Sequence, residues 1–599
     1  MANFLKQILA TLIGLVLFVS LGFGGLLVLV AAVSLSSPKP QVKDKTVLTF
    51  NLAQGISDAG SGTQSTDPIS SLLSGSPTEP ISLRDAVRAI QTAATDDRIV
   101  GIYLYGSGQS GASTGFATLR EFRDALETFR NSNKPIYAYS TGWNERDYYL
   151  TSVATEVVMN PAGDLEFNGL GSEAVFFGEA LQKLGVEVQP IRAGQYKSAV
   201  EPFTRNSSSP EDRQQRQVLL NDLWQEVLTT VASHRDLTPQ ALQTVADQRG
   251  ILLADEAQTS GLVDRVAYVD EVFATLATLA ESDDRDDDLG FQRMGLANYV
   301  EVAEAESDRQ GDEVALVYLD GDIVNGSGTT GQIAGDRTAS LIRRLRQDDD
   351  VKAIVLRINS PGGSATASDA IAREVQLARE AKPVIASMGN TAASGGYQIA
   401  TQAQTIYAAP NTITGSIGVF GLVPNVQKLA NDNGITWDVV KTGRYADMLT
   451  LSRPLTPDEL AIQQKFVDRF YSSFVDMVAK TRELPQQQVA NIAGGRVWSG
   501  VNAQQIGLVD ELGSLDDALQ AAAEAAELGD DWYVEEYPKA TPFRQELLAS
   551  LFSTMVRSPA SQDAVSQYVQ RLQTELSRVQ TLDDPKGLYT RLPFQLWID

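Results

Sequence analysis

Ser394 stands in the run "GNTAASGGYQIA" (389–400), a hydroxyl among small residues followed by two glycines. That composition fits a nucleophile carried on a tight turn, and a serine hydroxyl needs a base to attack a carbonyl. The chain offers few bases: among 599 residues there are one histidine and no cysteine. His234, in "VASHRDLTP", reads as a solvated residue at a helix end, a poor member of a Ser-His-Asp triad. With so few nitrogen and sulfur ligands, metal-assisted hydrolysis is disfavoured, and no metal or cofactor is expected. Lysine remains, and Lys197 in "GQYKSAVEP" is the candidate. A lysine acts as a base near neutral pH only when burial destabilises its ammonium form; without burial, Lys197 is an ordinary surface residue.

Two other segments bear on the same chemistry. "AIVLRINSPGGSATAS" (353–368) is an apolar strand running into Ser-Pro-Gly-Gly and a helical stretch. Glycines let a backbone approach a substrate and aim N–H groups at a developing oxyanion, which nominates the N–H groups of Gly363 and Gly395. Taken alone, Gly362-Gly363 also reads as a plain strand-to-helix turn. Ser416, in "NTITGSIGVFG" (411–421), lies in a Gly-Ser-Ile-Gly turn. Its hydroxyl either holds the lysine amine or caps its own turn.

The elements that must position these residues come in two copies. "NKPIYAYSTGWNERDYYLTSVATEVVMNP" (133–161) matches "AKPVIASMGNTAASGGYQIATQAQTIYAAP" (381–410), and "LGVEVQPIRAGQYKSAVEPFTR" (184–205) matches "NGITWDVVKTGRYADMLTLSRP" (433–454). "SGLVDRVAYVDEV" (260–272) likewise matches "IGLVDELGSLDDA" (506–518). The offset is 249 at Tyr148 and Tyr397, at Gly185 and Gly434, and at Gly194 and Gly443. So constant a register marks a duplicated domain. At that offset Ser394 faces Glu145, and Lys197 faces Ala446. Each half lacks what the other carries, which points to one composite site. Short β-branched runs alternating with helical-period segments give each half an α/β fold.

The expected division is 1–45 as a membrane anchor, 46–295 as the half with the lysine, 296–538 as the half with the serine, and 539–599 as a helical tail. Residues 53–80, rich in Ser, Gly, Thr and Pro, read as a mobile loop, and "ESDDRDDDLG" (281–290) as a solvated linker. From Gln7 to Pro38 no charged residue appears, long enough to span a bilayer as a retained single-pass transmembrane helix rather than a cleaved signal. Lys6 precedes this run and Lys39, Lys43 and Lys45 follow it, which by charge bias puts the body on the cytoplasmic side. A net charge of −26 disfavours nucleic acid as a partner.

The tandem halves, the anchor, "GQYKSAVEPFTR", "INSPGGSATAS" and "GNTAASGGYQIA" together resemble the signal peptide peptidase A (protease IV) family in its long, duplicated bacterial form. The Ser-Pro-Gly-Gly and Ala-Ser segments also resemble the Clp protease fold within the crotonase-like group. The resemblance implies a membrane-bound serine peptidase with a Ser/Lys dyad, in which Ser394 is the nucleophile, Lys197 the general base and Ser416 the residue orienting the lysine. Gly363 and Gly395 match its oxyanion positions. It further implies signal peptides as substrates, a bowl-shaped homotetramer and a bacterial plasma membrane, or a thylakoid in a photosynthetic source. The exported side typical of bacterial relatives disagrees with the flanking lysines, so the side stays open. Two other readings share these features: a crotonase-like acyl-CoA enzyme with a carboxylate base, and a non-catalytic membrane scaffold.

Overall fold

The computed structural model describes residues 41–59, 80–107, 114–282, 289–305, 311–329, 331–539, 584 and 587–592. The expected anchor (7–38), the centre of the acidic linker and most of the tail lie outside the described residues. No helix among the described residues is long and apolar enough to cross a membrane.

The first half carries strands β1 (Thr46–Asn51), β2 (Ile99–Tyr105), β3 (Ile136–Trp143), β4 (Glu156–Phe167), β5 (Glu187–Ala193), β6 (Gly250–Leu253) and β7 (Arg293–Gly295). Among its helices are those labelled α1 (Leu83–Thr95), α2 (Phe116–Asn131), α3 (Glu145–Thr151), α4 (Pro210–His234) and α5 (Leu296–Ala305). The second half carries β8 (Asp312–Asp320), β9 (Val351–Ser360), β10 (Gly362–Ser364), β11 (Val384–Ala393), β12 (Thr405–Ala408), β13 (Ile413–Gly415), β14 (Val419–Asn425), β15 (Val497–Ser499) and β16 (Trp532–Tyr537). Among its helices are those labelled α6 (Gly335–Gln347), α7 (Ala365–Arg379), α8 (Gly395–Ala400), α9 (Pro457–Thr481) and α10 (Leu515–Ala525). A last strand, β17 (Tyr589–Arg591), comes from the tail.

The first sheet has the order β7-β1-β2-β3-β4-β6 and the second β16-β8-β9-β11-β13-β15, with β12 also beside β11. Both are parallel except for the last strand, β6 or β15, which runs antiparallel. The same order in both halves is the duplication expressed as topology. Strands such as "VKAIVLRINS" and "VIASMGNTAA" are buried almost throughout because helices cover both sheet faces, so the alternation of buried and exposed residues is lost. The long helices α4 and α9 each have 25 residues, begin with Pro and are capped by Ser209 and Thr456, whose side chains accept an N–H from the first turn.

A third sheet stitches the halves together. Its order is Gln332–Ala334, Asp322–Val324, β10, β17, β14, β5. Thus β5, from the first half, runs antiparallel to β14 of the second, from Ala193 opposite Val419 to Glu187 opposite Asn425.

Residues 53–59 depart from the expectation of a mobile loop, while 60–79 lie outside the described residues. Ile56–Ser57 pairs in parallel with Ile81–Ser82, Ile56 is in the core, and Asp58 is buried. Gly55, at φ 72°, makes the turn that returns the chain to the core, and a composition average over 53–80 hides it. The tail also departs from a purely helical expectation, because β17 is a strand lying between β10 and β14.

Candidate active site

Lys197 and Ser394, 197 residues apart in sequence, meet at the joint between the halves. The Lys197 Nζ lies 2.8 Å from Ser394 Oγ, 2.9 Å from Ser416 Oγ and 3.1 Å from the Ser416 carbonyl oxygen. All three residues are fully buried. A neutral amine has two N–H groups and one lone pair, which matches two Ser416 acceptors and one Ser394 hydroxyl. Burial holds the Lys197 ammonium well below the usual lysine range, and no charged neighbour offsets it.

Local geometry explains each placement. β5 ends at Ala193, and the next four residues carry Lys197 across to the turn that precedes β14. The Tyr196 N–H donates to the Gly494 carbonyl, and Gln215 donates to the Tyr196 carbonyl. The Arg496 guanidinium lies 5.4 Å from the Tyr196 ring and 4.2 Å from the Trp498 ring, clamping the lysine loop to the 494–498 segment. Only glycine fits at 495, because a Cβ there would lie 2.7 Å from the Lys197 backbone nitrogen. The sequence reading missed this cradle of Gln215, Gly494, Gly495 and Arg496. The Gly-Gly pair in "NIAGGRVWSG" was its visible signal.

Ser394 is at the end of β11, one residue before α8, with φ 55° and ψ −110°. Ser416 has φ 51°. Non-glycine residues keep such values only where their surroundings fix them. Here the Ser394 N–H donates to the Gly415 carbonyl and the Ser416 N–H to the Arg496 carbonyl. Glu145, the counterpart of Ser394, caps nothing catalytic: its carboxylate accepts the Asn168 N–H at 2.7 Å, and burial pushes its pKa up. Ala446, the counterpart of Lys197, is exposed.

Gly363 lies in β10, opposite Thr590 of the tail strand and beside Ile323. A Cβ on Gly363 would come within 1.9 Å of the Ile323 carbonyl oxygen, so the backbone there tolerates only glycine. The Thr590 carbonyl lies against Gly362, and the Gly395 nitrogen borders the same space. The Asp584 carboxylate accepts from Ser364 Oγ at 2.6 Å and the Leu592 N–H donates to the Pro361 carbonyl, so the tail is tied to β10 at both ends. His234 is elsewhere, at the end of α4 beside Arg123, Ser233 and Glu127.

Ser416 gives a direct test. In a Ser416→Ala protein the lysine loses one hydroxyl partner, and kcat/KM falls about ten- to a hundredfold, the equivalent of about 1.5–3 kcal/mol. Losing an acceptor destabilises ammonium more than amine, so the acid limb of the rate profile moves to lower pH. An unmoved limb with an unchanged rate overturns the assignment of Ser416 as a positioning residue.

The pattern of Peptidase family S49 matches residues 128–283 and again 376–529, and that of Clp protease matches 305–414. Protease 4 of Salmonella typhi is 37% identical over 464 residues, covering 76% of this chain and 74% of that one. Protease 4 of Haemophilus influenzae is 34% identical over 600 residues, 95% of each chain. A chloroplastic serine protease SPPA of Arabidopsis thaliana is 32% identical over 498 residues, 82% of this chain and 71% of its own. These matches define an α/β serine peptidase made of duplicated S49 domains with a Clp-protease-like fold. The chain belongs to peptidase family S49.

Proposed function

We propose that this chain is a membrane-anchored endopeptidase that degrades cleaved signal peptides and other small hydrophobic peptides through a Lys197/Ser394 dyad. The contact of 2.8 Å between a buried, uncompensated lysine amine and the serine Oγ carries the reading. Neutral Lys197 accepts the Ser394 proton as Oγ bonds to the peptide carbonyl carbon. The carbonyl oxygen takes the negative charge and faces the N–H groups of Gly363 and Gly395. Lysine then returns the proton to the departing amine as the C–N bond breaks, leaving an acyl-serine. Water, deprotonated by the same amine, attacks the ester and frees the acid and the hydroxyl. Ser416 keeps the amine aimed at Ser394 throughout.

An extended peptide has a ready seat beside β10. The chain's own Tyr589–Arg591 already pairs antiparallel with Gly362–Ser364, so that edge accepts a strand by backbone hydrogen bonding. A substrate takes the same place and displaces the tail strand. The neutral 7–38 run supports attachment to a lipid bilayer, in a bacterial plasma membrane or a thylakoid, and the family resemblance supports a homotetramer.

The test uses a serine-directed phosphonate on the full-length protein, with peptide mapping of the adduct. The expected adduct is on Ser394, and Ser394→Ala loses both labelling and cleavage of a hydrophobic peptide. Cleavage at near-normal rate by that variant, or an adduct on another residue, overturns the dyad.

A further inference from the structure

Lys197 and Ser394 come from different halves, so the segments that carry them must be held at a fixed distance. The long helix α4 lies against both. Gln215, Leu219, Asp222 and Leu223 follow the spacing of one helix face, and that face docks on β15 of the second half. Leu219 and Leu223 pack with Val497, and Asp222 accepts from Ser499 Oγ at 2.8 Å and Asn502 Nδ2 at 2.5 Å. The start of the same face holds the segment of the base. Gln215 Nε2 donates to the Tyr196 carbonyl at 3.0 Å and to Ser198 Oγ at 3.3 Å. Ser198 Oγ in turn donates to Asp212 Oδ1 at 2.5 Å, and Arg216 lies 2.9 Å from Asp212 Oδ2, which compensates the carboxylate. Ser198, Asp212 and Gln215 are all buried. The residues on either side of Lys197 are therefore both tied to α4.

Gln215 carries the connection onward to the nucleophile. Its Oε1 accepts the Val497 N–H at 3.4 Å, Val497 lies opposite Gly415 in the β13–β15 pair, and the Gly415 carbonyl accepts the Ser394 N–H. A buried amide is costly unless its partners are present, and this one draws them from both halves. We propose that Gln215 and Asp212 are positioning residues for the reaction, with α4 as a strut whose polar face sets the approach of Lys197 Nζ to Ser394 Oγ. Neither touches the reacting atoms; they act through residues 196 and 198. The inference rests on the Lys197/Ser394 dyad proposed above and adds the residues that aim it. Burial alone keeps the lysine amine neutral, so a loosened strut admits water beside it and returns its pKa towards the ordinary value. The acid limb of kcat/KM then moves to higher pH, opposite in sign to the shift expected of Ser416→Ala. The charged groups facing this segment are Arg216 on α4, Glu201 with Arg192 at 3.6 Å and Arg205 at 3.9 Å, and Arg496 over Tyr196. The substitutions that test the strut leave all of them in place.

The test compares full-length variants on a hydrophobic peptide across pH. Gln215→Leu nearly keeps the side-chain volume and removes the bonds to both halves. Its kcat is expected to fall about ten- to a hundredfold with KM within about twofold, and its acid limb to move up. Ser198→Ala removes only the hydroxyl that reaches Asp212. It gives smaller changes in the same directions, and it decides the matter if Gln215→Leu does not fold. Val227→Ala, a core deletion on the same helix, lowers the denaturation midpoint and leaves the limb in place. An unmoved limb and an unchanged kcat in the folded strut variants overturn the proposal, as does a limb that moves equally in Val227→Ala. Lys197→Met, assayed in parallel, separates the two readings. Activity in that variant sinks the dyad, whereas a dead Lys197→Met beside an unaffected Gln215→Leu sinks the strut alone.

Discussion

Lys197→Met abolishes peptide cleavage, lowering kcat/KM on the order of 10⁴-fold, while the protein remains folded. Methionine has nearly the length of lysine and no basic nitrogen, so the cradle stays filled and Ser394 has nothing to take its proton. Lys197→Arg does not rescue, because a guanidinium is not deprotonated in a protein. Lys197→Met also raises the unfolding midpoint at pH 7. The native lysine has a depressed pKa, so between that value and about pH 10.4 the unfolded chain binds a proton that the native one does not. Native stability therefore rises with pH up to the ordinary lysine value, and the advantage of methionine shrinks over that range. In the wild type, kcat/KM falls on acidification as the amine takes up its proton. A Lys197→Met protein retaining more than a tenth of the activity sinks the dyad.

Arg357→Met has the largest expected effect on stability, about 3–5 kcal/mol at neutral pH, read as the fall in denaturation midpoint. Arg357, in β9, is buried and donates to Asp58 at 2.9 Å, Glu121 at 2.6 Å and Ser387 at 2.8 Å. Glu121 also accepts the Leu515 N–H at 2.9 Å, so the cluster ties α2 of the first half to β9 and α10 of the second. Burial pushes both carboxyls up against the pull of the arginine, and the two carboxylates hold Arg357 firmly charged. Without the guanidinium, two buried carboxyls face each other uncompensated. The loss shrinks under acid, where both take up protons, and the Arg357→Met/Asp58→Asn/Glu121→Gln protein recovers most of it. A single variant as stable as wild type overturns this account of the joint.

The halves and the meeting of Lys197 with Ser394 were legible because duplication lets one sequence be compared with itself. Complementary losses at Ser394/Glu145 and Lys197/Ala446 pointed to a shared site before any distance was known. Ser416 stayed ambiguous in sequence because a turn-capping serine and a lysine-holding serine look alike; only the 2.9 Å contact separates them. The β5–β14 pairing was hidden because nothing in the residues of either strand says that they cross between halves. Asp58 was lost inside a stretch read by composition, where one buried carboxylate is outweighed by its Ser- and Gly-rich neighbours. The Thr590 strand was hidden for the opposite reason: the helical spacing of 561–580 dominated the reading of the tail.

Lys197 is made on the ribosome almost two hundred residues before Ser394. Until β14 exists to receive β5, that lysine is an ordinary solvated ammonium, and a newly made Ser394 has no base. If Lys197 and Ser394 are the dyad proposed above, the reactive centre works as a coincidence detector for its own folding: neither half alone carries both groups, and a nick or local unfolding in either one silences the other. A peptidase arranged this way needs no removable pro-segment to protect nearby nascent chains, because latency is written into the division of the dyad.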